Sequence, residues 1–260
     1  MMFDFLKYTV EGGVAKIAFN RSEVYNALND EITYELQTAL KQVAKDKLVR
    51  VVVLTGEGKA FCAGQDLKAA MGVEKRSFSE SLHKRYNPII RQIRALKKPV
   101  IGRINGVAAG AGCSLALACD LVVMADEAYL VEVFVNIGLV LDSGSSYFLP
   151  RLVGSAKAFE LSTMGSKVSG QEAVSLGLAN KSVPLAELDE AIRHYTDYYA
   201  TAPTKTIGLM KQMLNKSGSS SLNEMLKYEA YCQDIAGASD DYNEGVNAFL
   251  EKRPAKFTGK

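Results

Sequence analysis

The sequence predicts an α/β protein whose C-terminal part is helical. Short β-branched segments bounded by turn residues alternate with amphipathic helical segments up to about residue 200. A strand, a helix and a second strand in succession imply parallel pairing through a crossover, and the continuous apolar runs are typical of parallel strands buried on both faces. Beyond about residue 143 the periodicity is mainly helical. We therefore divide the chain into an α/β core at residues 1–202 and a helical region at residues 203–260.

The first unit is a strand, a helix and a strand. Residues 14–19 (VAKIAF) and 50–55 (RVVVLT) are predicted strands, because they are short, rich in β-branched side chains and bounded by turn residues. The helix between them begins near Asn29 or Asp30, either of which can cap its first turn. Its predicted buried face consists of Ile32, Leu36, Leu40 and Val43. That spacing gives a single apolar stripe along an amphipathic helix.

The pattern then repeats and gives way to helices. Strands are predicted at residues 98–104, 120–125 and 128–133, with a helix of small residues near 111–119. Helical segments follow at residues 143–154, 155–165 and 169–179. The last helical region starts near Pro203, a favourable residue for a helix start, and residues 218–221 (GSSS) form a predicted hinge within it.

The composition is ordinary for a globular protein: 48% of the 260 residues are hydrophobic and 23% are charged. The net charge of +2 gives little support to a nucleic-acid partner or an anionic membrane surface. No apolar run reaches the roughly 18 residues of a membrane span, and the N-terminus lacks the pattern of a signal peptide. We therefore expect a cytoplasmic protein without a membrane or nucleic-acid partner.

Cysteine and histidine usage indicates neither a disulfide framework nor a metal site. The four cysteines show no C-x-x-C spacing, so we expect reduced, buried thiols. They are Cys62, Cys113, Cys119 and Cys232. His83 and His194 lie outside the glycine-rich segments and are predicted to be surface residues. The sequence contains no metal-ligand cluster and no Ser–His–Asp arrangement.

Two glycine-rich segments each follow a predicted strand: GKAFCAGQDL at residues 58–67 and INGVAAGAGCSLALACD at residues 104–120. Close packing alone explains either segment, the first as a turn and the second as a helix start. Each can equally present backbone N–H groups to a ligand, the second at the positive end of a helix dipole. Neither matches the spacing of a P-loop or a dinucleotide fingerprint. Two such N–H groups converging from separate loops would form an oxyanion hole.

Asp142 is the single acid in the apolar segment GLVLDSGSSYFLP at residues 138–150. An aspartate followed by Ser-Gly-Ser-Ser is good helix-capping chemistry. The same carboxylate, desolvated by its apolar neighbours, could serve as a general base. The segment alone leaves both alternatives open.

Together these segments resemble the crotonase (enoyl-CoA hydratase/isomerase) superfamily. The matching motifs are AFCAGQDL, KPVIGRINGVAAGAGCSLALACDLVVMA, the G-x-x-x-x-S-G-x-x-x-x-L-P-R-L-V-G stretch, the A-x-x-x-G-L-A after it, and EGVNAFLEKRPAKFTG. They run from about residue 10 to the tail, with Ser22 where the family usually has proline. The resemblance implies a crotonase fold, a spiral of β-β-α units with a C-terminal helical trimerisation domain. It also implies homotrimers or dimers of trimers, an acyl-CoA substrate, and no cofactor, since coenzyme A is part of the substrate.

Members of this superfamily hold the thioester oxygen of an acyl-CoA with two backbone N–H groups. The resemblance assigns these donors to Gln65 in CAGQDL and to Ala111 in AGAGC, where glycine is common. Coenzyme A would lie along the first glycine-rich segment, with Lys68 and Arg21 as weaker candidates for phosphate contacts. The implied binding residues are Arg21, Ala63, Gly64, Gln65, Asp66, Leu67, Lys68, Gly110 and Ala111.

Hydratases of the family carry two glutamates that hold the water to be added. Ser114 and Phe134 occupy those positions here, and Glu132, although close in sequence, is aligned with neither. Asp142 instead matches the sole acid of the branch that contains 1,2-epoxyphenylacetyl-CoA and Δ3,Δ2-enoyl-CoA isomerases. The resemblance therefore favours catalysis over capping for Asp142.

The resemblance also implies a lining for the acyl pocket. The lining residues are Phe134, Leu139 and Tyr147, with further walls from residues 70–95. Tyr86 and Phe134 would suit an aromatic or cyclic acyl chain. The side chains expected to desolvate Asp142 and raise its pKa are Leu139, Val140, Leu141 and Tyr147.

The expected reaction is isomerisation of an enoyl-CoA, or of a ring-epoxide or oxepin-CoA, in fatty acid or phenylacetate metabolism. Enoyl-CoA hydratase is the alternative within the family. An aryl-CoA dehalogenase would use a tryptophan and a histidine beside the substrate, but the chain has no tryptophan and no histidine between residues 84 and 193. A non-enzymatic RNA-binding relative has little support, because a basic stripe with interleaved aromatic residues is absent.

Overall fold

Two β-sheets form the core of the computed structural model, which describes residues 3–71 and 77–260. The strands are β1 (Leu6–Glu11), β2 (Val14–Phe19), β3 (Val51–Gly56), β4 (Ala60–Cys62), β5 (Val100–Ile104), β6 (Val107–Ala109), β7 (Leu121–Ala125), β8 (Tyr129–Val131), β9 (Val168–Ser169) and β10 (Lys181–Val183). Part of the segment expected to line the pocket, residues 72–76, lies outside the described residues.

Helices cover the sheets and form the C-terminal part. The α-helices are α1 (Asp30–Lys45), α2 (Leu67–Met71), α3 (Phe78–Ser81), α4 (Asn87–Ala95), α5 (Ala111–Ala118), α6 (Ser145–Met164), α7 (Gly170–Leu176), α8 (Leu188–Thr201), α9 (Thr204–Ser217), α10 (Leu222–Gly237) and α11 (Asp240–Leu250). Shorter helical segments are Ser22–Val24, Leu82–Tyr86, Val133–Ile137 and Leu185–Glu187.

The larger sheet has the strand order β1-β2-β3-β5-β7-β10. Strands β1 and β2 are antiparallel, and every later neighbour is parallel. In the middle of the sheet, Val52 of β3 pairs with Ala15 of β2 and with Val100 of β5. All residues of β3 are buried, as its continuous apolar sequence predicted. Helices α1 and α8 pack on this sheet.

The smaller sheet has the order β4-β6-β8-β9. Strands β4, β6 and β8 follow β3, β5 and β7 directly along the chain, so the chain passes from the larger sheet to the smaller one at each repeat. Helical segments follow each of these strands before the chain returns to the larger sheet. The predicted spiral of β-β-α units is therefore confirmed.

Local sequence signals account for the helix boundaries. The Asn29 side chain caps α1 by accepting a hydrogen bond from the Ile32 N–H at 3.1 Å. The predicted apolar stripe of α1 is buried. The two helices predicted between residues 143 and 165 are present within α6, and they meet at a kink at Gly154, which adopts φ 76°.

Helix α9 starts immediately after Pro203, as predicted, and is joined to the α/β core by buried polar contacts. The Lys211 ammonium group donates to Asp120 Oδ2 at 2.6 Å, and Arg94 donates to Asp120 Oδ1 at 3.1 Å. The hinge predicted at residues 218–221 connects α9 to α10, and Ser221 caps α10 through a capping box with Glu224. The division of the chain at residue 203 stays a prediction.

Helices α10 and α11 carry exposed apolar side chains. Leu222, Phe249 and Leu250 are 74%, 82% and 72% exposed. Such a surface suits the packing role expected for this region, and trimerisation stays a prediction. Within the described ranges, no helix combines the length and the apolar character needed to cross a membrane.

Candidate active site

The two glycine-rich segments meet at the start of α5. Gly64 has φ +89°, and a Cβ atom there would lie 2.7 Å from the Ala109 carbonyl oxygen and 3.5 Å from the Ala111 nitrogen. A Cβ at Gly112 would lie 2.1 Å from the Cys62 carbonyl oxygen. These contacts are shorter than any side chain tolerates, so glycine at both positions lets the loops approach each other. The first loop thus lies directly against the first turn of α5.

This approach brings together the two predicted N–H donors. The loop around Gln65 is held by Leu28, whose N–H donates to the Gly64 carbonyl at 2.7 Å and whose carbonyl accepts from the Asp66 N–H at 3.0 Å. Ala111 is the first residue of α5, where backbone N–H groups have no acceptor within the helix. Among the described residues, neither the Gln65 N–H nor the Ala111 N–H donates a hydrogen bond. Both groups are free to donate to a ligand, and the α5 dipole favours a negative charge beside Ala111.

Asp142 lies in the loop that precedes α6, and it does not cap that helix. The N-cap position belongs to Gly144, with φ 90° and no side-chain capping bond. The Asp142 carboxylate accepts from the Ser143 hydroxyl at 2.7 Å, and only the Asp142 backbone carbonyl accepts from the Ser145 N–H, at 3.0 Å. The capping interpretation of Asp142 is therefore wrong. Two successive left-handed residues, Ser143 and Gly144, turn the chain between the carboxylate and the helix.

Burial raises the pKa of the Asp142 carboxyl group, and the hydrogen bond from Ser143 opposes this shift. The direction agrees with the expectation, but two of the four side chains expected to desolvate the carboxylate are exposed. Val140 is 84% exposed and Tyr147 is 44% exposed, so neither shields the carboxylate well within one chain. The Tyr147 ring lies under the Arg151 guanidinium at 3.6 Å. The contact with Arg151 does not support the predicted place of Tyr147 in the pocket wall.

Tyr86, by contrast, is almost fully buried near Asp142. Its hydroxyl group has no hydrogen-bond partner within the part of the chain that the structure describes. Burial is the main cause that raises the pKa of Tyr86, Arg85 opposes it, and the charges of Cys62 and Asp142 add to it. An unpartnered phenol beside the carboxylate is a potential donor to a bound substrate.

The two positions at which hydratases carry glutamate cannot supply acid–base chemistry here. Ser114 is fully buried, and its hydroxyl group lies 2.8 Å from Ser145 Oγ and 3.1 Å from the Asp142 carbonyl oxygen. Phe134 is also buried, and its ring lies 3.8 Å from where a Cβ of Gly110 would be. An apolar ring thus occupies the space beside the predicted oxyanion donor.

Glu132 is a buried carboxyl group that the sequence reasoning set aside. It is only 3% exposed, and its Oε1 atom lies 2.6 Å from the Ser145 hydroxyl oxygen. Burial raises the pKa of Glu132 to about 7, although Ser145 and Cys113 oppose the shift, and Asp142 adds to it. An acidic residue inside the apolar run YLVEVF was the available signal in the sequence.

The segment predicted to bind coenzyme A is held by an ion pair. Arg21 donates to Asp66 Oδ2 at 3.0 Å and to the Ala27 carbonyl at 2.6 Å. Asp66 also accepts from the Ala69 N–H at the start of α2, which is the main cause that lowers the pKa of Asp66. The charge of Arg21 is thus already paired, whereas Lys68 is exposed. Phosphate binding by either side chain stays a prediction.

The cysteines and histidines lie where the sequence predicted. The four cysteines are unpaired and buried, and both histidines are exposed, as predicted. No group of three or more His, Cys, Asp or Glu side chains within residues 3–71 and 77–260 is arranged to hold a metal ion.

Comparison with known proteins identifies the family. The family model described as enoyl-CoA hydratase/isomerase matches residues 9–260. The 1,2-epoxyphenylacetyl-CoA isomerase of Escherichia coli K12 is 40% identical over 263 residues, with 100% of both chains covered. A Rhodobacter capsulatus protein named "probable enoyl-CoA hydratase" is 37% identical over 260 residues, also with 100% of both chains covered.

Solved structures agree with the sequence relatives. An enoyl-CoA hydratase from Bacillus anthracis superposes with a TM-score of 0.94 at 32% identity, covering 99% of this chain and 100% of that one. Isomerase and hydratase names thus both occur among the relatives, and the solved hydratase shares the fold of this chain. The chain therefore belongs to the enoyl-CoA hydratase/isomerase family and has its crotonase fold.

Proposed function

We propose that this protein is an acyl-CoA thioester isomerase that moves a proton between two carbon atoms of the acyl chain. The observation that supports the proposal is the set of side chains at the site. Asp142 offers a half-buried carboxyl group with a raised pKa, whereas Ser114 and Phe134 replace the glutamates of the hydratases. A hydroxyl group already engaged in hydrogen bonds and an apolar ring cannot hold and activate a nucleophilic water.

The proposed reaction begins with the thioester carbonyl oxygen bound by the N–H groups of Gln65 and Ala111. These donors stabilise the enolate, and a single donor of this kind typically contributes ~10²–10³ in rate. The Asp142 carboxylate removes a proton from C2 of a 3-enoyl-CoA, and the electron pair spreads into the carbonyl group and the neighbouring double bond. Asp142 then returns the same proton to C4, which leaves the conjugated 2-enoyl-CoA. No atom is gained or lost, and no cofactor is needed.

The same arrangement suits a ring substrate. The buried aromatic side chains Tyr86 and Phe134 would face a cyclic or aromatic acyl group, and the unpartnered Tyr86 hydroxyl could donate to an epoxide or oxepin oxygen. Leu139, which is half-buried, would complete this wall. Coenzyme A would lie along residues 63–68, in a homotrimer or a dimer of trimers.

Enoyl-CoA hydratase is the second candidate, and one observation favours it. Glu132 brings a second carboxyl group, with a pKa of about 7, close enough to Asp142 for the two charges to interact. Two carboxyl groups are what water addition requires. However, Glu132 is 3% exposed and its Oε1 atom is engaged by Ser145, so it offers little room for a water held by both acids.

The mass of the product distinguishes the two candidates. The purified protein is incubated with a 3-enoyl-CoA, a 2-enoyl-CoA and 1,2-epoxyphenylacetyl-CoA, and the products are analysed by mass spectrometry. Isomerisation leaves the mass unchanged, whereas hydration adds one water. Water addition to the 2-enoyl-CoA that is faster than every isomerisation would contradict the proposal.

Asp142→Asn tests the assigned base. Asparagine is nearly isosteric but cannot accept a proton, so kcat for isomerisation should fall by ~10²–10⁴, while the affinity for an acyl-CoA changes little. Asp197→Asn, at an exposed position on α8, is the matched control and should retain full activity. Full turnover in Asp142→Asn would remove Asp142 from the mechanism.

A further inference from the structure

A chain of buried polar side chains lies behind the predicted base. Glu132 Oε1 lies 2.6 Å from Ser145 Oγ, Ser145 Oγ lies 2.8 Å from Ser114 Oγ, and Ser114 Oγ lies 3.1 Å from the Asp142 carbonyl oxygen. The Ser114 hydroxyl group is also 3.3 Å from the Gly110 carbonyl oxygen, which precedes the predicted donor Ala111. Glu132, Ser145 and Ser114 are all buried. These side chains therefore link the loop of the base to the segment that carries the predicted donor Ala111.

Counting protons fixes the direction of these hydrogen bonds. Each of the three links, from Glu132 to Ser145, from Ser145 to Ser114 and from Ser114 to a backbone carbonyl, needs one proton. The two hydroxyl groups supply two protons, and a carbonyl oxygen supplies none. With an ionised Glu132, one of the links would lack a proton and would place two oxygen lone pairs against each other. With a neutral Glu132, every link is satisfied and all donors point towards the Asp142 carbonyl.

The surroundings of Glu132 also favour the neutral acid. Glu132 Oε2 has no oxygen or nitrogen partner among the described residues, and the donor beside Glu132 is the weak one of the Cys113 thiol, which is less costly for a neutral carboxyl group than for a carboxylate. The titratable groups that face it are Cys113 from α5 and Asp142 from the loop before α6. The cavity beside it is otherwise lined mainly by apolar side chains, including Leu130 of β8, Leu149 of α6 and Val168 of β9. Within the described part of the chain, no cation compensates a negative charge on Glu132.

We propose that Glu132 is a positioning residue, a neutral acid whose hydrogen bond is passed through Ser145 and Ser114 to the Asp142 carbonyl and so fixes the base relative to the oxyanion donors. This inference rests on the proposed function, because Glu132 acts through Asp142. When Glu132 loses its proton, Ser145 must turn its own proton towards Glu132, and Ser114 must turn towards Ser145. The Asp142 carbonyl then loses its donor, and the loop of the base is released.

Two substitutions by side chains of similar size distinguish the positioning role of Glu132 from a purely packing role. Glu132→Gln keeps a donor for Ser145 but cannot ionise, whereas Glu132→Met keeps the volume and removes the donor. Both variants are assayed across a pH series for isomerisation of a 3-enoyl-CoA, and circular dichroism confirms that they fold. The kcat of the wild type should fall as pH rises through about 7, the range in which Glu132 ionises. The titration of Cys113 lies outside that range, because burial raises its pKa well above the ordinary value.

The glutamine variant should retain kcat within about threefold at low pH and lose the alkaline decline, because its donor is permanent. The methionine variant should lose on the order of tenfold to a hundredfold in kcat at every pH, with KM nearly unchanged, because a displaced base affects the transition state more than binding. If Glu132→Met keeps the kcat of the wild type, or if Glu132→Gln keeps the alkaline decline, the inference is overturned.

A spectroscopic measurement keeps this inference separable from the proposed function. Infrared difference spectra between the wild type and Glu132→Gln should contain the carbonyl stretch of a neutral carboxylic acid near pH 6 and lose it at alkaline pH. Absence of that band overturns the neutral acid whatever the activity. Absence of isomerisation by the wild type with every substrate overturns the proposed function and the positioning role with it. Inactivity of Asp142→Asn together with wild-type behaviour of Glu132→Met overturns the positioning role alone.

Discussion

Replacing Glu132 by glutamine should change how the stability of the protein depends on pH. Burial raises the pKa of Glu132 from an ordinary value of 4.5 to about 7. For an acid whose pKa is higher in the folded state, the stabilising contribution is fully present below the unfolded pKa and is lost as pH rises through the folded pKa. The loss therefore occurs between about pH 4.5 and just above pH 7. At 1.36 kcal/mol for each pKa unit, it amounts to about 3 kcal/mol in the free energy of unfolding.

Urea unfolding at a fixed protein concentration measures this change, because oligomerisation would otherwise shift the apparent stability. The free energy of unfolding of the wild type relative to Glu132→Gln should decline by about 3 kcal/mol between about pH 4 and about pH 8. Comparing the two proteins cancels the contributions of the titrating groups that do not interact with Glu132. A difference that stays constant over this range would show that Glu132 ionises normally, and the reasoning from burial would be refuted.

Three further predictions concern the site and its support. As the pH is lowered, the kcat of isomerisation should fall with a midpoint above pH 3.8, because the base must be ionised and burial raises the pKa of Asp142. A midpoint at the pKa of an ordinary aspartate would contradict the burial of Asp142. Gly64→Ala should lower kcat at least tenfold and cost on the order of 1–3 kcal/mol, because its φ of +89° and a carbonyl oxygen 2.7 Å away both oppose a side chain. Gly138→Ala, with φ +69° and nothing within 4 Å, is the matched control for backbone strain, so an equal loss of activity in both variants would exclude the steric argument. Lys211→Met should destabilise the protein by about 3–5 kcal/mol in thermal or urea unfolding, because it leaves Asp120 without its closest cation; a change below about 1 kcal/mol would mean that Arg94 compensates.

The sequence by itself determined the repeating core and the two loops that carry the predicted donors. Strand β2, the body of β3 and helix α1 with its Asn29 cap follow from periodicity and capping, because these signals are local and the elements are long enough to show them. The glycine-rich loops were recognisable because only glycine permits the backbone contact that Gly64 makes.

Most strands of the smaller sheet could not be predicted from the sequence. Strands β4, β6 and β9 contain three, three and two residues, which is too short for an alternating pattern to be recognised. Their pairing depends on strands distant in the sequence, so only the assembled sheet determines where they begin and end.

Tertiary structure alone decided the surroundings of the acids around the site. Asp142 suits a helix cap by its sequence, but the left-handed turn at Ser143 and Gly144 follows it, and α6 has Gly144 at its N-cap and no side-chain capping bond. Glu132 contacts Ser145, which lies 13 positions away in the sequence, and Ser145 contacts Ser114, which lies 31 positions from Ser145. Burial in these surroundings raises the pKa of Glu132. Burial, hydrogen-bond direction and charge proximity are properties of groups brought together in space, and no local pattern in the sequence encodes them.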